Sequence, residues 1–370
     1  MKETEEVLAL NRAHLAGYKF KNGIRAFDRW IIPYTKSRIY SSKLRPILSY
    51  LFTEWKCNLD CHYCFQFNNQ EKGMSLETAT SSIDWLKTLG CRVVAIMGGE
   101  PLIRKDFILK VVQYGSGNGF FVYLPTNGYL LTEDFIDKVG GAGVAAINLA
   151  VDCIGPKPGL PKALMKIEPQ FRYLVKQQEK YGYILFFNIN ITSLSIKDVK
   201  MLTEIAHDNR IGVDYHINEP PQPFVDIKHY KHEENDLYIR PEQYEEVDEL
   251  LDWIILKNRK GYTMVNSIAH LKAMKDRMRN KSVEWDCRAG HNGILIKPDG
   301  SLSPCFDLIT CDYDWGTIWN PKFDKDKLSA VINKCNKYCL STCFYNIGHH
   351  YNFIESLKWM LKHSRLGDVR

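Results

Sequence analysis

The chain has 370 residues, of which 45% are hydrophobic, and its 49 basic and 43 acidic side chains give a net charge of +6. This composition supports a large core and excludes bulk disorder, and so small an excess of positive charge does not indicate nucleic-acid binding. No segment approaches the roughly 18 apolar residues of a membrane span, and the N-terminal residues lack the apolar core of a secretory signal. A cytoplasmic location is therefore expected.

Residues 1–46 are predicted to form a helical basic collar, with a first helix over residues 1–22. Residues 23–50 interleave basic residues with aromatic and aliphatic ones, the basic residues being Arg25, Arg29, Lys36, Arg38, Lys43 and Arg45. Such a stretch is typical of a helical segment with solvated charges. The alternative is a peripheral membrane or lipid contact through residues 23–50.

Between residues 47 and 222, apolar strands alternate with amphipathic helices. The predicted strands are ILSYLFTEW, CRVVAIMGG, FFVYLPTNG, VAAINLAVD, YILFFNINIT and IGVDYHINEP. The first helix is expected to begin after Ser75, a good N-cap, and to end at Gly90. Nearly continuous apolar strands alternating with helices indicate a parallel sheet that is covered on both faces. The predicted fold class is α/β, with a partial (β/α)6 TIM-like barrel.

The alternation stops near residue 222. Residues 223–284 are predicted to form a linker loop, rich in proline and charge, followed by two helices within 241–280. Residues 285–348 are predicted to form a small α+β cysteine-rich domain with a hairpin that turns at Asp299-Gly300. A C-terminal helix over residues 349–370 completes the prediction.

The eleven cysteines are unevenly distributed, and a cytosolic protein uses such residues as thiols, catalysts or metal ligands rather than as disulfides. Cys57, Cys61 and Cys64 form a CX3CX2C group. Three thiolates cannot complete a tetrahedral zinc site. A [4Fe-4S] cluster usually takes four cysteines, so three leave one iron open to chelate a small molecule and pass it an electron. Cys91, which begins an apolar strand, is predicted to be a buried apolar residue.

The CX3CX2C loop directly follows the first strand, Tyr63 precedes the third cysteine, and GGEP follows at 98–101. This combination resembles the radical S-adenosylmethionine (radical SAM) enzymes. The resemblance implies that the open iron binds the amino and carboxylate groups of SAM. It also implies that the reduced cluster cleaves SAM to methionine and a 5′-deoxyadenosyl radical, which abstracts a substrate hydrogen. An electron donor such as flavodoxin or ferredoxin would reduce the cluster.

The same resemblance implies roles for residues at the strand ends, where barrel active sites assemble. Cofactor contacts are implied for Tyr63, Gly98, Gly99, Glu100, Pro101, Thr126, Asn127 and Asn190. Within GGEP, Glu100 would be an acceptor for the methionine amino group, and the glycines would let the backbone approach a ligand. The catalytic candidates are Asp152, Cys153 and His216. For Asp152, Asn190 and His216 the alternative is an ordinary satisfied polar residue at a strand end.

The second cysteine group follows the predicted barrel, as Cys287-X12-Gly300-X4-Cys305 and then Cys335-X3-Cys339-X3-Cys343. The spacing alone is compatible with a zinc ribbon. After a radical SAM barrel it resembles the SPASM/twitch extension, which holds auxiliary [4Fe-4S] clusters. The full SPASM pattern has seven cysteines and this chain departs from it, so one auxiliary cluster is expected.

The expected ligands of that cluster are Cys287 and Cys305, joined by two of Cys335, Cys339 and Cys343. Cys311 is left over. An auxiliary cluster with three protein ligands, open to substrate, is the alternative.

The resemblance implies the initiating chemistry and leaves the substrate open. Residues 1–46 do not resemble the leader-peptide recognition domain of relatives that modify ribosomal peptides. We therefore expect a small-molecule substrate: a metabolite, a sugar or aminocyclitol, or a lipid precursor. The layout also resembles the hopanoid-adenosylating radical SAM enzymes, and residues 23–50, rich in Trp, Tyr and Arg, are the one sequence feature that favours a lipid. One alternative is a ribosomal-peptide-modifying SPASM enzyme. The other, from a different class, is a non-catalytic iron–sulfur electron carrier or zinc-binding scaffold.

Overall fold

The computed structural model describes residues 32–39, 44–64, 69–218, 237–279, 281–283, 285–309, 313–335 and 339–350. Several predictions lie outside these residues: the helix over 1–22, residues 23–31 and 40–43 of the basic stretch, the loop over 223–236, Cys311 and the segment after residue 350. Within the collar, residues Ile32–Ile39 form helix α1.

Six parallel strands form the predicted barrel. They are β1 (Leu48–Glu54), β2 (Val93–Gly98), β3 (Phe121–Thr126), β4 (Ala146–Ala150), β5 (Ile184–Ile191) and β6 (Gly212–Ile217). Each strand is hydrogen-bonded to the next one along the chain, in parallel register. The partial (β/α)6 barrel is thereby confirmed.

Helices connect the strands: α2 (Leu76–Thr88), α3 (Lys105–Gly117), α4 (Glu133–Gly141), α5 (Glu168–Tyr181) and α6 (Ile196–Asp208). Ser75 caps α2 as predicted, because its hydroxyl accepts a hydrogen bond from the Thr78 amide at 3.0 Å. After β6 come the two predicted helices, α7 (Tyr244–Arg259) and α8 (Ile268–Met278). Of the helices in the described ranges, none combines the length and apolarity that crossing a membrane requires.

The two faces of the barrel sheet differ in character, because successive strand residues point to opposite sides. One face packs against the helices and is apolar on every strand, as illustrated by Leu51, Val94, Val122, Ile147, Phe187 and Val213. The opposite face lines the barrel lumen. On β1–β3 that inner face is apolar and aromatic, with Tyr50, Phe52, Ala95 and Tyr123. On β4–β6 it carries Asn148, Asn188, Asn190, Asp214 and His216, so one half of the lumen is polar.

The predicted hairpin consists of β7 (Gly293–Ile296) and β8 (Leu302–Ser303), and Gly300 in its turn has φ = +81°. β7 also pairs in parallel with β1, so the hairpin continues the barrel sheet. Helices α9 (Lys325–Cys335) and α10 (Thr342–His350) follow. Phe306 and Phe344 pack on Tyr50, with ring centroids 4.7 and 5.8 Å away. The cysteine-rich segment therefore covers the lumen beside β1.

Candidate active site

Cys57, Cys61 and Cys64 lie in the loop after β1. Backbone hydrogen bonds hold this loop: the Cys64 amide donates to the Cys61 carbonyl at 3.0 Å, and the His62 amide donates to the Gly159 carbonyl at 3.0 Å. The Cys57 amide donates to the Asn69 side chain, also at 3.0 Å. The three thiols are thus carried by one short segment that is fixed to its surroundings at both ends.

Burial raises the pKa of Cys57 to about 11 and raises the pKa of Cys61 further. Thiols of this kind are protonated at neutral pH, so their thiolate form needs a cationic partner such as iron. In the part of the chain that the structure describes, no three His, Cys, Asp or Glu side chains converge closely enough to hold a single metal ion. Three thiols on one loop nevertheless match the donor set that leaves one iron of a [4Fe-4S] cluster open.

Gly98 and Gly99 lie where the end of β2 meets the cysteine loop. A Cβ atom on Gly98 would lie 2.3 Å from the Glu54 carbonyl oxygen, and one on Gly99 would lie 2.4 Å from the Lys56 carbonyl oxygen. The amides of Gly99 and Glu100 donate to these carbonyls at 2.7 and 2.8 Å. The close approach expected of the glycines is therefore made to the backbone that carries the cysteines.

Glu100 ties the ends of β2 and β3 together. Its carboxylate, 1% exposed, accepts hydrogen bonds from the Thr126 hydroxyl at 2.8 Å and from the Asn127 and Leu102 amides at 2.8 and 3.0 Å. Burial raises the pKa of Glu100, and the three donors oppose that shift. Pro101 begins the short 3-10 turn that follows. Both carboxylate oxygens are engaged by the protein, and contact with the methionine amino group stays a prediction.

Asn127 connects this edge to the cysteine loop. Its side-chain Nδ2 donates to Asn58 Oδ1 at 2.9 Å, and its Oδ1 accepts from the Tyr129 amide at 3.1 Å. The strand-end motifs around 98–101 and 125–128 therefore fix the orientation of the cysteine loop through direct contacts.

Tyr63, Asp152 and Asn190 meet in one hydrogen-bond network. The Tyr63 hydroxyl donates to Asp152 Oδ2 at 2.6 Å, and the Asn190 amide donates to Asp152 Oδ1 at 2.9 Å. The Lys162 ammonium donates to the Tyr63 hydroxyl at 2.7 Å. Burial raises the pKa of Asp152, while Lys162 and the Tyr63 hydrogen bond lower it. Three predicted site residues, from three separate segments, thus converge.

Lys162 is a site residue that the sequence analysis missed. It lies in the segment between β4 and α5, outside every recognised motif, and its charge acts on all three loop cysteines. Burial lowers its pKa, but the neighbouring acidic groups, led by Cys61 and Asp152, raise it overall. A permanent ammonium beside the thiols favours their thiolate forms.

The side-chain oxygen of Asn190 is buried and has no hydrogen-bond partner among the residues that the structure describes. A buried acceptor without a partner is rare and costs free energy, so it indicates a bound donor. This acceptor next to the Asp152 network fits the predicted contact of Asn190 with SAM.

Cys153 is placed differently from the other catalytic candidates. It is 0% exposed and packs with Leu160, Ala163 and Leu237. Its thiol donates to the backbone carbonyls of Leu160 and Lys162 at 3.5 and 3.6 Å, and burial raises its pKa to about 12. These contacts are those of a structural thiol, and no observed contact supports the catalytic role predicted for Cys153. Cys91 is also fully buried, as predicted.

His216 faces the polar half of the lumen. Its Nε2 lies 3.1 Å from Asn188 Nδ2 and 3.5 Å from Asp214 Oδ2. Asn188 and Asp214 were not among the predicted site residues. The signal that was available is their spacing, because they alternate with apolar residues that pack against the helices.

The second cysteine group divides into two parts. Cys287, Cys305, Cys335 and Cys339 line one cavity, together with the half-buried Asp307, which accepts a hydrogen bond from the Cys339 thiol at 3.5 Å. Burial raises the pKa of Cys287 to about 12, so these thiols also need a cationic partner to ionise. Cys343 does not line this cavity; its thiol is hydrogen-bonded to Tyr50 on the inner face of β1.

Residues 56–176 match the family model of the radical SAM superfamily. The AdoMet-dependent heme synthase of Methanosarcina barkeri is 22% identical over 273 residues, which cover 67% of this chain and 73% of that protein. A probable GTP 3′,8-cyclase of Methanocaldococcus jannaschii is 29% identical over 257 residues, which cover 68% of this chain and 81% of that protein.

Among solved structures, Streptococcus suis SuiB bound to its precursor peptide SuiA has a similar fold. Its TM-score is 0.60 at 14% identity, over 88% of this chain and 76% of that one. The matched residues 56–176 contain the cysteine loop, the GGEP motif and Asp152. This chain therefore carries a radical SAM domain over residues 56–176.

Proposed function

We propose that this enzyme abstracts hydrogen from a small, non-peptide substrate in the barrel lumen, aided by one auxiliary [4Fe-4S] cluster. When bound, the loop cluster and SAM supply the 5′-deoxyadenosyl radical. The observation that carries the proposal is the polar inner face of β4–β6, which lies below the network formed by Tyr63, Asp152 and Asn190. A substrate held there would lie between the strand ends that carry the predicted SAM contacts and the second cysteine group.

In this proposal the protein's own residues hold and orient the reactants. Cys57, Cys61 and Cys64 would ligate the loop cluster. The Asn190 side-chain oxygen would accept a hydrogen bond from SAM, while Asp152 and Lys162 hold the Tyr63 side chain in place. Such fixed positioning restricts a reactive radical to one substrate position.

The auxiliary cluster would be held by Cys287, Cys305, Cys335 and Cys339. Four thiolates complete the coordination of a [4Fe-4S] cluster, so electron transfer is favoured over direct binding of substrate. A cluster of this kind can accept an electron from a substrate radical, which suits an oxidation or a bond-forming reaction. The four thiols lining one cavity support this assignment.

Water must be kept away from a substrate radical. The pairing of β7 with β1, and the packing of Phe306 and Phe344 on Tyr50, cover one side of the lumen. We infer that the cysteine-rich segment shields the reaction as well as holding the second cluster.

Product analysis tests the proposal. Protein reconstituted with iron and sulfide under anaerobic conditions should form 5′-deoxyadenosine from SAM and dithionite. Cys61→Ala should abolish this activity, whereas Cys91→Ala, which alters a buried thiol outside both cysteine groups, should retain it. An electron carrier or zinc scaffold would form no 5′-deoxyadenosine in any variant.

The fold shared with peptide-bound SuiB favours a second candidate, a peptide-modifying enzyme. The names of the heme synthase and the GTP cyclase favour small molecules instead. A short precursor-peptide gene beside this one, whose product stimulates 5′-deoxyadenosine formation, would decide for the peptide.

A further inference from the structure

The polar half of the lumen has a layered arrangement that the strand register defines. Asn188 on β5 lies opposite Asp214 on β6, and Asn190 lies opposite His216 one step nearer the carboxyl ends. Asn148 on β4 lies deeper, opposite Phe186. All five polar residues are on the inner face, because the alternating residues of these strands pack against the helices.

Two of these side chains are buried, and each has an oxygen atom that accepts no hydrogen bond from the described residues. Asp214 is 7% exposed and Asn148 is 1% exposed. Asp214 Oδ1 and Asn148 Oδ1 have no hydrogen-bond partner in the described residues. His216 does not compensate for this, since its Nε2 is 3.5 Å from the other carboxylate oxygen and is already engaged by Asn188. A buried carboxylate oxygen without a partner among the described residues is costly, so Asp214 Oδ1 favours a ligand that brings a positive charge.

The other residues of the lumen indicate which further chemical groups the ligand has and which it lacks. Aromatic side chains adjoin these polar residues: Tyr123 on β3 stacks on Phe186 of β5 at 5.5 Å between ring centroids, and Tyr50 on β1 lies beside the Cys343 thiol. Not one of the strands β1–β6 contains a lysine or an arginine. Phosphate groups are bound by cationic side chains and backbone amides, so these strands offer a phosphorylated ligand no counter-charge.

We propose, building on the proposed function, that the substrate carries a primary amine that binds Asp214. A neighbouring hydroxyl or amide donor binds Asn148, and the carbon skeleton lies against Tyr123. The substrate is thus a non-phosphorylated amine. The amine can belong to a small amino sugar, which agrees with a non-peptide substrate, or to a lysine side chain, which would select the peptide-modifying candidate instead. The choice of probe distinguishes these two sources.

Equilibrium binding to the reconstituted, SAM-loaded protein tests this proposal. One probe pair is glucosamine and glucose; the other is N-acetyl-lysine methylamide and its norleucine analogue, which lacks the amine. At least one amine should bind tenfold or more tightly than its partner. That preference should disappear in Asp214→Asn and persist in Asp208→Asn, the same change at an exposed site on α6. Asn148→Leu should weaken amine binding as well, which keeps the test decisive if Asp214→Asn does not fold.

The proposal is overturned if neither amine binds, if amine and analogue bind equally, or if Asp214→Asn keeps the preference. Tighter binding of GTP than of either amine would also overturn it. Formation of 5′-deoxyadenosine by the same preparation is measured in parallel. Cleavage of SAM without amine binding would reject only this inference, whereas absence of cleavage would reject the proposed function.

Discussion

The hydroxyl of Tyr63 offers a sharp test of the site geometry. Tyr63→Phe removes one oxygen atom and leaves the ring in place. The deleted hydroxyl donates to Asp152 at 2.6 Å and accepts from Lys162 at 2.7 Å. Asp152 is 1% exposed, so water cannot readily replace the lost donor.

A hydrogen bond to a charged group contributes about 1.5–3 kcal/mol to the free energy of unfolding. The Lys162 ammonium can shift toward the carboxylate once the hydroxyl is gone and recover part of this loss. We therefore expect Tyr63→Phe to lower the free energy of unfolding by about 1–2 kcal/mol. Adding Lys162→Met removes that compensation, so the double variant should lose more than the sum of the two single changes.

Tyr114→Phe is the matched control. The Tyr114 hydroxyl also donates to a carboxylate, that of Asp84 at 2.8 Å, but this pair is exposed. Its removal should change the free energy of unfolding by less than about 0.5 kcal/mol. Urea unfolding of each reconstituted variant under anaerobic conditions measures the difference. Equal losses for Tyr63→Phe and Tyr114→Phe would refute the buried network as a stabilising element.

Three further outcomes are expected. Gly99→Ala should lower stability by about 1–3 kcal/mol and reduce SAM cleavage, because its Cβ would lie 2.4 Å from the Lys56 carbonyl; unfolding and 5′-deoxyadenosine measurements check both effects. Cys335→Ala should lower the iron content from about eight atoms per chain toward four, whereas Cys343→Ala should leave it near eight; equal iron losses would contradict the assignment of ligands. Cys287→Ala should retain SAM cleavage but lose product, which mass spectrometry of the reaction mixture would detect.

The barrel could be predicted because each strand has one face packed on helices, where only apolar residues fit. Strands such as 146–150 and 212–217 therefore have an apolar residue at every second position, and this pattern is visible in the sequence. The same period-two pattern contained the lumen residues Asn148 and Asp214. They were missed because a polar residue on an inner face carries no local motif, and its role depends on which strands close the barrel.

The auxiliary ligands show a second limit. Cys335, Cys339 and Cys343 are equally spaced, so spacing alone cannot choose between them. The choice depends on α10, whose first turn directs Cys343 toward Tyr50 and away from the cavity lined by the other thiols.

Contacts between distant segments of the chain likewise could not be predicted from the sequence. The hairpin turn at Asp299-Gly300 was readable from its residues, but a turn does not reveal that β7 pairs with β1. Lys162 reaches Tyr63 across ninety-nine positions of the chain, a contact that only the folded segment after β4 creates.

The most direct test of the central claim is the electron paramagnetic resonance spectrum of the dithionite-reduced protein before and after addition of SAM. A cluster held by Cys57, Cys61 and Cys64 has an iron open to SAM, so its signal should change on addition. A spectrum that is the same with and without SAM would mean a coordinatively saturated centre and would contradict the account.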